Sequence, residues 1–302
     1  HPGPTRNPHN LAHTPGGSSS GSAAAVADFM VPLCLGTQTT ASVIRPAAFC
    51  GIVGYKPTYG DFDKSGILAN APTMDTLGIM ARTIDDVGLL RAILLEETPQ
   101  AIADMALSDV KFGLLNVPPW NTAEPETRRV IEALADDLAG AGARQVDVAI
   151  GDQVTRLIEL HRLISGYEFG RSIAYERTRH LDELSAVLRE GRLADGREVD
   201  SRRYPDLIRE AAFLRASLAE AFTGVDILVS PSAAGPAPAS LVSTGDAAFS
   251  AAWSLAGNPV ITLPLFQAAD TAMPIGCQLI AGFGEDEKLL SVSQAIMTRF
   301  KS

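Results

Sequence analysis

The sequence is poor in the residues and patterns that mark several common classes of protein. Its three cysteines, Cys34, Cys50 and Cys277, are an odd number without the spacing of metal ligands. Each lies among apolar residues or beside glycine, which favours buried thiols in a reducing compartment over a disulfide framework. A catalytic cysteine is the less favoured alternative. We therefore expect a cytoplasmic protein that uses neither a metal nor another cofactor.

Signals for membranes and nucleic acids are also missing. No apolar run is long enough to span a bilayer, and the first ten residues, HPGPTRNPHN, are not a signal peptide. The formal net charge is −10, with no basic patch. Such a chain is not expected to bind nucleic acid or an anionic membrane. The chain does not begin with Met, so we expect a segment to be missing from its N-terminus.

What is present fits a globular α/β protein. The 302 residues are 46% hydrophobic and 20% charged, which is enough to bury a substantial core. Strand-like and helical patterns alternate along the chain. Strands are predicted near 31–35, 110–116, 144–149, 226–230, 259–265 and 275–281, all in one sheet. Helices are predicted after the serines near residue 20, from Thr83, from Pro125 to Leu138 and from Glu285 to Phe300.

The pattern changes between about 152 and 222. This segment is nearly all helical in period and rich in charge, so we interpret it as a solvated helical region with one loop at 194–200. No internal repeat and no obvious linker is present. A single domain over 1–302 with a helical insertion at 152–222 is simpler than two domains.

The stretch TPGGSSSGSAAAVA, Thr14 to Ala27, has three competing interpretations. A flexible linker would not lead directly into a helix and an apolar strand, as this stretch does. A phosphate-binding loop would need the Lys-[Ser/Thr] of a P-loop or the spaced glycines of a dinucleotide fingerprint, and both are missing. The third interpretation is a nucleophile site, where glycines allow close approach of a substrate and serines carry protons.

A second serine loop supports the third interpretation. GTQTTASVIRPAAFCG, Gly36 to Gly51, places Ser42 in a turn of small residues. One helix and one short strand separate it from Ser18, so the chain can leave one end of the sheet and come back to it. We therefore expect Ser18 and Ser42 at the same end of the sheet.

These loops resemble the amidase signature family of amide hydrolases. The resemblance rests on GGSS, on the GTxTxxSxxRP pattern around Ser42, and on FCGIVGYKPTYG and APTMDTLGIMARTIDD; it resumes in DILVSPS, GNPVITLPL and PIGCQLIAG. It implies an α/β fold with a large mixed β-sheet flanked by helices on both faces. It also implies hydrolysis of a small-molecule amide, and of esters as well, through an acyl-serine intermediate. The segment at 152–222 would then be a substrate-side insertion.

The resemblance assigns roles to the serines. Ser42 matches the nucleophile of a Ser-Ser-Lys triad, and Ser18 matches the bridging serine, which the family holds on a cis peptide bond. The backbone N–H groups of Thr39, Thr40, Ala41 and Ser42 match the oxyanion hole. Such a triad makes chemical sense, because a neutral lysine can activate a serine and preorganised N–H donors stabilise the tetrahedral intermediate. The residues that bind the substrate are not identified, and aromatic residues such as Trp120 and Trp253 are candidates for an acyl pocket.

The chain departs from the family pattern around Ser42. Thr40 and Ala41 stand where the family usually has two glycines, and a β-branched Thr resists a positive φ. Gln38 stands where an Asp is common. Arg45 lies one residue later than usual, and we expect it to tie the loop to a carbonyl or to a carboxylate such as Asp75.

The largest departure concerns the base. The family's catalytic lysine lies well upstream of GGSS, where this chain has no residues. Lys56 matches a family position that is not the base, and Lys64, Lys111, Lys288 and Lys301 look like surface charge. We therefore expect a truncated, impaired amidase. The alternative is a non-catalytic amidase-like scaffold, or one component of an amidotransferase-type assembly; a homo-oligomer is also compatible with the sequence.

A different mechanism competes with this one. GSSSG, Gly17 to Gly21, fits the G-x-S-x-G nucleophile elbow of α/β-hydrolases, with Ser19 at its centre. That motif needs a strand directly before it and a downstream histidine. The preceding residues read as loop, and the only downstream histidines, His161 and His180, fall in the charged helical segment, so this interpretation is disfavoured.

Overall fold

A computed structural model describes residues 4–301, and within that range the chain forms one eight-stranded sheet and eleven α-helices. The strands are β1 Leu33–Gln38, β2 Val53–Lys56, β3 Thr76–Ala81, β4 Lys111–Leu114, β5 Arg144–Gln145, β6 Ile227–Pro231, β7 Val260–Gln267 and β8 Pro274–Ala281. The helices are α1 Ser20–Ala27, α2 Ile44–Phe49, α3 Ile84–Leu94, α4 Pro125–Gly140, α5 Gly151–Ser172, α6 Ala174–Arg179, α7 Ala186–Glu190, α8 Arg192–Arg197, α9 Tyr204–Ala221, α10 Ala248–Ala256 and α11 Asp286–Lys301.

The sheet is mixed, which confirms the predicted fold class. Its strand order is β1-β3-β2-β7-β8-β6-β4-β5, and β4 runs parallel to both neighbours while the other pairs are antiparallel. Consecutive strand residues point to opposite faces. Accordingly, Ile261 and Leu279 pack into one core with helices α3, α4 and α11. Val260 and Ile280 pack into a second core with α5, α9 and α10, so helices cover both faces of the sheet.

All six predicted strands lie in this sheet, but two strands were missed and one is short. β5 has only two residues, where residues 144–149 were predicted. The missed strands, β2 and β3, are buried along their whole length and pair with each other. Glycines interrupt their short apolar runs, and the polar residues Lys56 and Thr76 stand at their ends, so neither shows a clear strand pattern in the sequence.

The predicted helix boundaries agree well with the structure outside the charged segment. Thr83 caps α3 by accepting a hydrogen bond from the N–H of Asp86, and its hydroxyl donates to the Asp86 carboxylate. Helix α4 begins at Pro125 as predicted and ends at Gly140. Within residues 4–301, no helix is both long and apolar enough to cross a membrane.

The loop predicted at 194–200 is wrong, because α8 occupies most of it. Gly196, which lies within the predicted loop, serves close packing: a Cβ atom there would lie 2.3 Å from the carbonyl oxygen of Gly166 in α5. A Cβ atom at Gly166 would likewise lie 2.7 Å from the Gly196 nitrogen. The helices α5 to α9 all lie within residues 151–221, joined by short non-helical segments and one 3-10 turn. That this segment is a substrate-side insertion in a single domain stays a prediction.

Candidate active site

The structure brings the two serine loops to one pocket. Ser18, which precedes α1, and Ser42, which follows β1, both line a pocket of about 170 Å³. Thr39, Lys64 and Asp75 line it as well. Ser18 is exposed and Ser42 is half-buried, and neither hydroxyl forms a hydrogen bond with any residue in the range 4–301. Both side chains are therefore free to face a substrate.

The backbones of the two loops are tied together. The peptide bond between Gly17 and Ser18 is cis, as the family resemblance implied. The N–H of Ser19 donates to the carbonyl oxygen of Ser42 at 3.4 Å. Arg45 donates to the carbonyl oxygens of Gly17 at 2.7 Å and of Gly245 at 2.6 Å. Burial lowers the pKa of Arg45 to about 10, so the guanidinium is still a cation at neutral pH.

Of the two alternatives expected for Arg45, a carbonyl or a carboxylate such as Asp75, the structure shows the carbonyl. The Asp75 carboxylate instead accepts from the hydroxyl of Thr39 at 2.6 Å. Its second oxygen accepts from the backbone N–H groups of Asn70 and Ala71 at 2.6 and 2.8 Å. Asp75 thus joins the loop before Ser42 to the segment that forms another wall of the pocket.

Helix α2, which follows Ser42 in the chain, fixes the C-terminal end of the serine loop. The helix begins two residues after Ser42, and Gln38 caps it by accepting from the N–H groups of Val43 and Ile44 at 2.9 and 3.0 Å. Gln38 is itself fully buried. The residue that replaces the family's Asp therefore holds the first turn of the helix that follows Ser42.

The loop Thr39–Ser42 presents backbone donors that have no partner among residues 4–301. The N–H groups of Thr40, Ala41 and Ser42 form no hydrogen bond with another residue of the described chain, although Ala41 is only 1% exposed. A buried backbone N–H without a partner is rare and often faces a ligand or water. In residues 4–301 a positive φ outside glycine occurs at Phe29, Glu96 and Ala272, so Thr40 and Ala41 form this loop without one.

Lys64 was wrongly assigned to the surface. It is half-buried and lines the pocket, its Nζ donates to the carbonyl oxygen of Asp75 at 2.6 Å, and it lies 4.6 Å from the centre of the Tyr59 ring. Burial lowers the pKa of its ammonium, and Asp75 partly opposes that shift. Sequence reasoning missed it because Asp-Lys-Ser reads as an exposed turn.

The helical segment 151–221 also reaches this site. His161 in α5 is buried, and its Nε2 donates to the carbonyl oxygen of Thr39 at 2.9 Å. Arg192, at the start of α8, donates to the side-chain oxygens of Asn70 at 2.8 Å and Thr40 at 3.1 Å. Both residues had been treated as part of a solvated region, and nothing local in the sequence signals their contacts.

These positions argue against a nucleophile elbow at Ser19. No strand lies directly before Ser19 in the described chain. His161 contacts Thr39, and His180 is paired with Glu183 in the exposed part of the helical segment. The aromatic candidates for an acyl pocket, Trp120 and Trp253, are buried outside the pocket.

Comparisons with known proteins agree with the fold. The family model described as Amidase matches residues 2–290. One component of the glutamyl-tRNA(Gln) amidotransferase of Bdellovibrio bacteriovorus is 30% identical over 97% of this chain and 69% of its own length. The crystal structure of an amidase is 30% identical, with a TM-score of 0.88 over 98% of this chain and 69% of that one. The peptide amidase of Stenotrophomonas maltophilia is 26% identical, with a TM-score of 0.79 over 99% of this chain and 68% of its own.

A match over almost the whole chain, with the same mixed sheet, settles the family that the serine loops had indicated. The chain therefore belongs to the amidase signature family, whose enzymes hydrolyse amide C–N bonds.

Proposed function

We propose that this chain cleaves a small-molecule amide or ester through an acyl-enzyme on Ser42. One observation carries the proposal: two serines from separate loops line one pocket, beside three backbone N–H groups that have no partner in residues 4–301. The pocket is partly apolar, with Ile67 and Leu68 on its exposed wall. A neutral acyl group of modest size suits a pocket of about 170 Å³.

The proposed reaction has two halves. The Ser42 Oγ attacks the carbonyl carbon while its proton passes to Ser18 and on to a base. The carbonyl oxygen gains negative charge, which the N–H groups of Thr39, Thr40, Ala41 and Ser42 stabilise. The C–N or C–O bond then breaks, and a leaving amine takes the proton back along the same path. Water attacks the acyl-serine in the same way, which releases the acid and restores Ser42.

The rate at which this chain alone cleaves an amide depends on whether a base accepts the Ser42 proton. Of the four lysines whose side chains the structure describes, only Lys64 lines the pocket, and its ammonium is engaged with the Asp75 carbonyl. We therefore propose that the 302 residues alone react slowly with amides and faster with activated esters, because a nitrophenolate leaves without a proton. Loss of one member of a catalytic unit commonly costs on the order of 10⁴ to 10⁶ in turnover.

The test compares an amide with its matching p-nitrophenyl ester, using this chain and its Ser42→Ala variant. We expect a burst of p-nitrophenol that Ser42→Ala abolishes, acylation of Ser42 by peptide mass mapping, and little amide turnover. Amide turnover at ordinary enzymatic rates, lost in Ser42→Ala, would show that a base lies within the chain, and Lys64→Met would then be the first variant to examine. No labelling of Ser42 at all would contradict the proposal.

A second candidate is a non-catalytic or assembly role. It is supported by the relative from Bdellovibrio bacteriovorus, which is one component of an amidotransferase. The net charge of −10 opposes direct contact with tRNA, so such a chain would bind protein partners. Absence of Ser42 labelling would favour this role.

We also propose a cytoplasmic location and a substrate-side role for residues 152–222. The three cysteines are free, and Cys50 and Cys277 are buried, which suits a reducing compartment. The contacts of His161 and Arg192 with the loop before Ser42 support the second proposal.

A further inference from the structure

Two carbonyl groups beside Ser42 are held by side chains from the helices behind the loop. The Nε2 of His161 in α5 donates to the carbonyl oxygen of Thr39 at 2.9 Å. The Oγ of Ser254 in α10 donates to the carbonyl oxygen of Thr40 at 2.8 Å. Both donors are buried, and each belongs to a helix packed in the same core. The Thr39–Thr40 and Thr40–Ala41 peptide planes therefore each have one fixed end.

The geometry of the peptide bond carries this constraint to the opposite side. The peptide bonds on either side of Thr40 are trans, since the cis bonds in residues 4–301 are at Gly17–Ser18 and Pro118–Pro119. In a planar trans peptide, the C=O of one residue and the N–H of the next point in opposite directions. Holding the Thr39 carbonyl thus orients the Thr40 N–H away from α5, and holding the Thr40 carbonyl orients the Ala41 N–H away from α10.

These N–H groups belong to the set that has no partner. Ala41 is almost completely buried, yet its N–H forms no hydrogen bond within the described chain. The two side-chain contacts explain why the loop keeps this orientation without the glycines that the family usually has there. The arrangement needs no positive φ at Thr40 or Ala41.

The Ser254 contact is part of a wider network that includes Gln38. The Gln38 amide donates through Nε2 to the Ser254 Oγ at 3.1 Å, and its Oε1 accepts from the N–H groups that begin α2. An aspartate at position 38 could accept but not donate. One glutamine therefore holds both Ser254 and the first turn of α2. Burial also lowers the pKa of His161 to about 4, so a neutral imidazole donates to Thr39 at neutral pH.

We propose that His161 and Ser254 are positioning residues that aim the N–H groups of Thr40 and Ala41 at the oxygen of the substrate carbonyl. Neither side chain touches the substrate, and each acts through one peptide plane. The inference rests on the proposed acyl transfer at Ser42.

The experiment follows acylation of Ser42 by a p-nitrophenyl ester and by the matching thionoester. In His161→Phe and Ser254→Ala, we expect the maximal acylation rate with the ester to fall on the order of 10- to 100-fold, with little change in the half-saturating concentration. The acylation rate with the thionoester should fall less, because sulfur is a weak hydrogen-bond acceptor. His161→Gln should restore much of the rate, since its amide nitrogen can take the place of the imidazole Nε2.

Each variant has a matched control on its own helix. Ser250 is fully buried one turn before Ser254 on α10, and its hydroxyl has no partner in residues 4–301. Ser165 is buried one turn after His161 on α5 and bonds to its own helix. Ser250→Ala and Ser165→Ala should acylate like the parent chain.

The possible failures are distinguishable. A parent chain without Ser42-dependent acylation would overturn the proposed function and this inference with it. A parent chain that acylates Ser42, with both test variants equal to their controls, would overturn the inference alone. Equal losses with ester and thionoester, without rescue by His161→Gln, would also overturn it, because they indicate general disruption of the loop.

Discussion

Lys56 is the residue whose environment is least expected from the sequence. Its side chain is 0% exposed, and its Nζ donates to the carbonyl oxygen of Pro57 at 2.9 Å. Burial lowers the pKa of Lys56 to about 7, although the carboxylates of Asp286 and Asp61 partly oppose the shift. Lys56 does not line the pocket, which agrees with its expected non-catalytic role. Its ionisation should instead be visible in the stability of the fold.

The first prediction follows from the sign of this shift. Between pH 7 and about 10, unfolded chains keep a proton on Lys56 that folded chains have lost, so Lys56 makes stability rise with pH over that window. In Lys56→Met this contribution disappears. From pH 7 to 9.5 the variant should gain less free energy of unfolding than the parent, by on the order of 2–4 kcal/mol.

Urea unfolding at both pH values measures this difference. Lys111→Met is the control, because Lys111 is exposed at the start of β4. If Lys56→Met and the parent show parallel pH profiles, Lys56 stays protonated in the folded chain and the interpretation is wrong.

The sequence predicted that Ser18 and Ser42 lie together but not which residues surround them. Ser18 and Ser42 lie in short patterns whose chemistry is local. His161 and Ser254 reach the loop only through the fold: His161 and Thr39 are 122 positions apart, and Ser254 and Thr40 are 214 positions apart. No local pattern can indicate such pairs, because the packing of helices on the sheet creates them.

At the scale of elements, α2 decides where Ser42 stands. A Cβ atom at Gly54 in β2 would lie 2.4 Å from the Cβ of Ala47, and one at Gly276 in β8 would lie 2.4 Å from the Cβ of Ala48. Real Cβ contacts are longer, so α2 can lie this close to the sheet only because both strand residues are glycines.

We therefore predict that Gly276→Ala moves α2 and Ser42 with it. Overpacking of this kind typically costs about 1–3 kcal/mol of stability, and acylation of Ser42 should slow as well. Gly21→Ala is the control, because nothing lies within 4 Å of its Cβ position on α1. That substitution should be neutral or stabilise by about 0.5–1 kcal/mol. Thermal unfolding and ester acylation measure both effects, and an unchanged Gly276→Ala variant would show that α2 is not held this tightly.

Helices and strands were predictable where the sequence carries a clear start signal or a continuous apolar run. Helices α3 and α4 have clear start signals, and β6 to β8 are strongly apolar. β2 and β3 were missed because glycines needed for packing interrupt them, such as Gly54 beneath α2 and Gly78 beside Val43. Within the predicted loop at 194–200, Gly196 likewise allows α8 to approach α5. Glycine signals a turn or a close contact, and only the fold distinguishes the two.

At the scale of the whole molecule, the two edges of the sheet differ. β5 is two residues long, which leaves little edge to pair with another chain. β1 has six residues and is paired on one side by β3 in the described chain. Apolar side chains are exposed at and just before this edge: Phe29 by 76%, Met30 by 70% and Leu35 by 42%. No second strand pairs with this edge in the described chain, although the Leu35 carbonyl oxygen accepts from the Ser22 hydroxyl at 2.9 Å. A strand edge of this kind with exposed apolar residues favours self-association.

We predict that this chain self-associates through β1, most simply as a symmetric dimer. The net charge of −10 makes copies repel each other, so added salt should strengthen association by screening. Leu35→Lys should shift the equilibrium to monomer in sedimentation equilibrium. The control is Val242→Lys, which adds the same charge at a loop residue that is 98% exposed. It should not shift the equilibrium to monomer. Both variants reduce the net negative charge equally. An equal change in association would therefore mean that charge alone governs it. A loss of association confined to Leu35→Lys would locate the contact at the β1 edge.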